Sequence, residues 1–297
     1  MIGFQITTFY KFVSLPESEL AARKALLEEK AREHGVFGLI IMGTEGINAT
    51  VAARGERLAG FKDFLRSLPG MSDMLFKDSH SMQKPFRRFK VKIRDEVVTF
   101  EFPEPIADGK NNHLTPAEWN GVLEGDDPYV MIDTRNWYET KVGIFEGAED
   151  PEIETFTDFK QYVADRKLEK DQKVLLYCTG GIRCEKALPY MQSLGYKDVY
   201  QLEGGILKYL EEFPTGKFKG ECFVFDHRVS VDAGLAPSQT WSLCPHCGNP
   251  GKEPVVCQNC GTDAVICECC LENSTLHACS KNCAHHLGRR GEDSQAA

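Results

Sequence analysis

The sequence predicts a mixed α/β protein in three parts. These are an N-terminal ferredoxin-like α+β domain, a central α/β domain on a parallel sheet, and a C-terminal cysteine-rich, metal-binding tail. Three observations predict this. Residues 1–100 order their periodic segments as β-α-β-β-α-β, the order of a split βαβ unit. From residue 126, short apolar runs alternate with helical patterns, as in a parallel sheet covered on both faces. After Leu235, paired cysteines replace apolar periodicity. The parts run 1–100, 101–125 (a linker and a first helix), 126–235 and 236–287, with a tail at 288–297 that reads as disordered.

Composition narrows the class. The chain has 297 residues, 42% hydrophobic, enough for two ordinary cores and an appendage. No apolar run is long enough to span a bilayer, so no membrane role is expected. The first residues (Met-Ile-Gly-Phe-Gln-Ile-Thr-Thr-Phe-Tyr) lack the basic-then-apolar pattern of a signal peptide. Twelve cysteines in such a chain point to metal or thiol chemistry rather than disulfides, and to a cytoplasmic protein. The formal charge of −9 does not mark a nucleic-acid binder, so local basic patches carry that question.

In chain order, 4–11 reads as an aromatic and β-branched strand. Helix 17–34 follows, with an apolar stripe of Leu20, Ala21, Ala25, Leu26 and Ala31, and Gly35 stops it. Strands are expected at 36–42 and 48–52, then a helix at 55–68 with Leu58, Phe61, Phe64 and Leu65 on one face. An extended segment at 86–93 closes the domain. The stretch Lys84 to Arg94 holds six basic residues and no acid. Strand alternation sends Phe89, Val91 and Ile93 to one face and Arg88, Lys90, Lys92 and Arg94 to the other. Such a face is either a track for phosphates, with Phe86 placed to stack on a base, or a guarded edge strand. The turn Gly43-Thr-Glu45-Gly46-Ile-Asn48 is ordinary hairpin chemistry that also offers Glu45 and Asn48 as site residues.

Glu101 to Lys110, with two prolines and three acids, has linker composition. Thr115 caps a helix that starts at Pro116, with Glu118 in its first turn. Strands at 129–133, 173–177 and 198–202 alternate with helices near 156–165, 184–194 and 206–212. Cys178 stands at the carboxyl end of one of these strands, where open α/β sheets bind ligands. Gly180 and Gly181 let the loop curl its N–H groups toward the sulfur, and Arg183 closes the ring at a helix start. That setting lowers a thiol's pKa and predicts a nucleophile; the competing reading is a core cysteine. Cys184 is either a resolving thiol or a core residue. Glu221 to Val231 looks extended, with Arg228 in a salt bridge or a contact to RNA or the other domain.

Cys178-Thr-Gly-Gly-Ile-Arg183 resembles the active-site loop of rhodanese domains, whose cysteine carries a persulfide. Val130-Met-Ile-Asp133-Thr-Arg135, with Glu139 and Gly143-Ile-Phe-Glu-Gly147-Ala, resembles their other signature. The resemblance implies a rhodanese-like central domain in which Asp133 and Arg135 form a buried ion pair. Four residues separate Cys178 from Arg183, one fewer than phosphatases on this fold need to encircle a phosphate. The longer string Cys178-Thr-Gly-Gly-Ile-Arg-Cys-Glu-Lys-Ala187 is similar to that of the rhodanese-related tRNA uridine(34) hydroxylases, and the similarity runs through most of the chain. It implies tRNA as partner, molecular oxygen as co-substrate and hydroxylation of the wobble uridine at carbon 5. No flavin or nicotinamide motif is visible. The loop alone favours a sulfurtransferase, while the basic strand, the cysteine-rich tail and the full-length similarity favour the hydroxylase; an inert adaptor is the third reading.

In the tail, Cys244-Pro-His-Cys247-Gly and Cys257-Gln-Asn-Cys260-Gly are matched knuckles separated by nine residues. Cys267, Cys270, Cys279 and Cys283 supply four more thiolates, with Cys269, His277 and His285 as substitutes. Tetrahedral structural zinc fits best, with iron–sulfur ligation the lesser alternative. Spacing leaves sequential and cross-braced pairing both open.

Overall fold

Alternating inward and outward residues build the first sheet. β1 (Phe4–Phe12), β2 (Phe37–Gly43) and β3 (Gly46–Arg54) form its centre, with β4 (Lys77–Ser81) and β5 (Phe89–Ile93) at its edges. The order is β4-β1-β3-β2-β5, antiparallel except where β5 lies parallel to β2. The structure, a computed structural model, describes residues 3–102 and 112–295. α1 (Leu20–Glu33) and α2 (Arg57–Ser67) cover one face, closing a core with Phe9, Leu27, Ile40, Val51, Phe61 and Leu65.

Two expectations change here. The segment expected to close the split βαβ unit is instead a fifth strand, β5, at the far edge, and β4 takes the place beside β1. The string Lys-Asp-Ser-His-Ser hides β4 because one of its faces meets a polar loop rather than a core. The buried stripe of α1 is Leu20, Leu27 and Ala31, while Ala21, Ala25 and Leu26 face solvent. Alanines are too small to decide a helix's rotation; Leu27 decides it.

The second face of this sheet is set by register. Lys77, Thr8, Thr50, Leu39 and Lys90 pair in turn across all five strands, so their side chains share one side. Tyr10, Asn48, Ile41 and Lys92 form the next row on that side.

The central domain has a parallel sheet in the order β6-β10-β9-β7. Its strands are β6 (His113–Leu114), β7 (Val130–Asp133), β9 (Val174–Tyr177) and β10 (Val199–Leu202). Around it lie α3 (Pro116–Glu124), α4 (Trp137–Thr140), β8 (Gly143–Phe145), α5 (Phe159–Arg166), α6 (Cys184–Ser193) and α7 (Gly205–Glu212). β11 (Phe218–Gly220) pairs with β8, and β12 (Cys222–Phe223) with β13 (Ser230–Val231). The unbroken apolar run of β9 has a cause: Val174 and Leu176 pack on one core, Leu175 and Tyr177 on the other. Thr115 and Glu118 form the expected capping box on α3. Phe100 is already part of the central core, so the chain crosses between domains before the expected boundary. Most of the expected linker, 103–111, lies outside the described residues.

The tail folds as two small ribbons, β14 (Ser242–Leu243) with β15 (Pro250–Gly251) and β16 (Glu253–Val256) with β17 (Asp263–Ile266). α8 (Glu268–Leu271) and α9 (Lys281–Gln295) complete it. α9 runs through most of the segment expected to be disordered; once its first turn is fixed beside Cys279 and Cys283, propagation costs little.

Candidate active site

The Cys178 loop curls as expected. The Gly181 N–H donates to Cys178 Sγ at 3.1 Å, and the amides of Gly180 and Arg183 also bond the sulfur. Gly181 holds φ +100°, open to glycine, and a Cβ there would sit 2.9 Å from the Tyr10 hydroxyl. Gly205 (φ +67°) lets the start of α7 reach the loop: Ile206 N–H donates to Cys178 O at 3.0 Å, and a Cβ at Gly205 would meet that oxygen at 2.4 Å. The Glu203-Gly204-Gly205 string was the available signal for this support.

Burial pushes the Cys178 thiol up, but a hydrogen bond from Cys184, the Arg183 charge and the loop amides outweigh it, bringing its pKa down to about 6. Cys184 is fully buried, and burial with the neighbouring Cys178 anion holds it protonated. It hydrogen-bonds Cys178 from within the core.

Arg183 also has a partner outside the loop. Its guanidinium makes a two-pronged pair with Glu139, both bonds 2.7 Å, and both side chains are buried. Glu139 appears in the sequence only as part of a signature, and the chain separation hides the pairing. Asp133 and Arg135 form the buried pair the resemblance implied, at 2.6 Å, with Arg135 also donating to Gly143 O; Arg135 does not face the cleft. Arg228 pairs with Asp226 and reaches Ser79 of β4 at 2.8 Å, so it is both salt bridge and inter-domain contact.

Cys178 is not at an open mouth: it is 1% exposed. The second face of the N-terminal sheet covers it. Tyr10 O–H donates to Glu185 at 2.7 Å, and Lys77 Nζ donates to Gly180 O at 3.0 Å while lying 4.6 Å from the Tyr10 ring centre. Glu185 also meets His113 Nε2 at 2.9 Å, and His113 bonds Gln201. Burial raises the Glu185 carboxyl, and His113 and Tyr10 together bring it below its usual value. The enclosure is therefore polar on the side of the N-terminal domain, while behind the loop Cys178 packs in the apolar core; the amide cradle is aimed at the sulfur. Tyr10 and Lys77 carried no motif, and Glu185 stood in the loop string without an assigned role, so all three were missed.

The residues expected to meet RNA divide. Arg88, Lys90, Lys92 and Arg94 are exposed on and beside β5, and none pairs with a carboxylate among the described residues. Phe86 is half-buried beside them; Ile93, expected inside, is 38% exposed because β5 is an edge. Glu45 and Asn48 hold the chain instead: Glu45 accepts from Val97 N–H at 2.6 Å and from Lys186 at 3.0 Å, and Asn48 donates to Val97 O. Lys186, buried on α6, also bonds Glu96 and Val98 O, clamping the domains together.

The cysteines of the tail gather as Cys244, Cys247, Cys267 and Cys270, and as Cys257, Cys260, Cys279 and Cys283. Within each group the sulfurs lie inside 4.8 Å of one another, for example 3.4 Å between Cys247 and Cys267 and 3.5 Å between Cys260 and Cys279. Tetrahedral thiolates at zinc lie about 3.8 Å apart, so each group fits a single ion. First couple joins third, and second joins fourth: the pairing is cross-braced. Cys269 is exposed and outside both groups, and His277 bonds Leu271 O instead. Among the described residues, no helix is long and apolar enough to cross a membrane.

Comparison with known proteins agrees with this division. The chain matches models of a UPF0176 acylphosphatase like domain at 4–97, a Rhodanese-like domain at 116–212 and a Rhodanase C-terminal region at 219–284. A curated relative from Bdellovibrio bacteriovorus, named tRNA uridine(34) hydroxylase, is 47% identical over 98% of this chain and 85% of its own. Relatives of the same name from a Picosynechococcus species and Rhizobium leguminosarum are 41% and 42% identical, over 84% and 83% of this chain and 84% and 80% of theirs. With the loop, the domain order and this similarity all in place, the chain belongs to the tRNA uridine(34) hydroxylase family.

Proposed function

We propose that this chain hydroxylates carbon 5 of uridine 34 in tRNA, with molecular oxygen as co-substrate and Cys178 as nucleophile, in the cytoplasm. The observation that carries the chemistry is the cradle of amides on an ionised sulfur, Gly181 N–H at 3.1 Å. Addition of that sulfur to carbon 6 of the uracil places electron density on carbon 5 and the carbon 4 carbonyl, so carbon 5 takes one atom of dioxygen while an external two-electron reductant carries the other to water. Loss of the carbon 5 proton and departure of the sulfur then restore the ring. The loop amides, fixed by Gly205 and the Glu139–Arg183 pair, stabilise the sulfur anion before attack and after release. Arg88, Lys90, Lys92 and Arg94 hold the RNA backbone, with Phe86 beside them. The two cysteine groups hold zinc, which keeps the tail folded; an apolar core there is too small to do so.

The hydroxylase reading stands above sulfur transfer because it accounts for the N-terminal domain as well as the loop. Nucleoside mass spectrometry of tRNA incubated with the protein tests it. The intact protein is expected to yield 5-hydroxyuridine, and Cys178→Ala less than a hundredth of that amount, roughly the loss when a nucleophile is removed. A Cys178→Ala protein that hydroxylates normally ends the nucleophile assignment.

A further inference from the structure

The sulfur of Cys178 is enclosed by two domains, and one of the enclosing groups is an ammonium. Lys77, the first residue of β4, is 4% exposed. Its Nζ donates to Gly180 O at 3.0 Å, inside the loop that cradles the sulfur, and rests on the face of Tyr10. No carboxylate lies within ion-pairing distance of it among the described residues. A cation so deeply buried needs a counter-charge nearby, since taking it out of water costs several kcal/mol otherwise. The available anion on that side of the loop is the Cys178 thiolate.

We propose that Lys77 is the charge partner that the N-terminal domain supplies to Cys178, so that the ionised sulfur depends on both domains. The register supports this. Thr8 stands opposite both Lys77 and Thr50, bonding Thr50 Oγ1 at 3.0 Å, so β1 and β3 fix the row from which Lys77 reaches the loop. The surrounding charges are few and placed. Arg183 is paired with Glu139 and still lends the sulfur part of its charge, Glu185 is shared by Tyr10 and His113, and Cys184 stays protonated. Glu185, Glu211 and Glu203, in that order, also act on Lys77, each more weakly than Cys178. Burial lowers Lys77 to about 8, with Cys178 the strongest influence holding its proton on. Between about 6 and 8 the pair is therefore thiolate and ammonium. A rhodanese-like domain without this strand lacks that cation, which gives the N-terminal domain a part in the site beyond carrying RNA. Lys77 acts here through Cys178 and is a positioning residue.

This inference deepens the function proposed above and rests on Cys178 being the reacting atom; its test needs no tRNA, so the two fail separately. Iodoacetamide alkylation of Cys178, followed by mass spectrometry of its peptide across pH, reports the ionisation of the sulfur. In the full-length protein the midpoint is expected near 6. Lys77→Met, which keeps the bulk and removes the charge, is expected to raise it by about one unit or more, and Lys77→Arg to restore most of the shift. Were Lys77 only a mechanical tie, Lys77→Met would loosen the cover and raise the limiting rate at high pH while leaving the midpoint in place. That result overturns the proposal. A reciprocal measurement avoids a folding failure of the lysine variants. In Cys178→Ser the buried Lys77 ammonium, followed by its nitrogen-15 resonance, is expected to lose its proton at lower pH than in the unaltered protein. An unchanged lysine midpoint overturns the proposal equally.

Discussion

Glu139 has no exposed surface, and both of its oxygens are taken by Arg183. Replacing it with glutamine leaves a buried guanidinium facing a neutral amide, and breaking one side of a buried pair costs about 3–5 kcal/mol. Glu139→Gln is therefore expected to lower the urea midpoint with an unchanged slope, and to loosen the loop whose Thr179 hydroxyl also leans on Glu139. A midpoint shift equivalent to less than about 1 kcal/mol would show that Arg183 finds its counter-charge elsewhere. The contrast among site residues explains what could be read in advance. Cys178, Gly180, Gly181 and Arg183 are contiguous, and their chemistry is local: glycines curl a loop and amides meet a sulfur. Glu139, Tyr10, Lys77 and Glu185 act across separations set by the fold, and each alone is an unremarkable polar residue. Even Arg183, legible as part of the loop, had its partner hidden by distance along the chain.

Among elements, the strands and helices that face one apolar core were legible, because their period states which side is buried. β9 and α2 are of this kind. β4 was not, since its inward face meets a neighbouring loop and its residues follow that loop's polarity. The tail extends the point: four couples of ligands are visible as spacing, but spacing does not say which couple meets which. The fold answers by joining Cys244 and Cys247 with Cys267 and Cys270. This makes a sharp expectation for Cys244→Ser. One metal ion should be lost or weakened, and Cys267 and Cys270 should become open to alkylation while Cys257, Cys260, Cys279 and Cys283 stay protected. Sequential pairing would instead expose Cys257 and Cys260. Site-by-site mass spectrometry after brief alkylation of the metal-loaded protein distinguishes them.

At the scale of the whole molecule, a chain of formal charge −9 has to receive a polyanion. At physiological salt a charge is felt over about 8 Å, so the distant acids matter little and the surface near the RNA decides. In the function proposed above β5 supplies that surface; Lys90 and Lys92 are exposed and free of carboxylate partners among the described residues. Register places them on the same side of the sheet as Lys77 and Tyr10, which cover Cys178. Four strand spacings of about 4.8 Å separate Lys90 from Lys77, roughly 19 Å along one face. Backbone phosphates held at β5 thus lie a few nucleotides from a base delivered to the sulfur, with half-buried Leu39 and Ile41 between. Removing both cations should then weaken capture while leaving chemistry alone. The Lys90→Ala/Lys92→Ala protein is expected to bind an anticodon stem-loop more weakly, with a log–log salt slope shallower by about 1.4, the value for two single-strand phosphate contacts. Its rate at saturating RNA should match the unaltered protein. An unchanged salt slope would mean that β5 is merely a guarded edge, and that the RNA approaches Cys178 across another face.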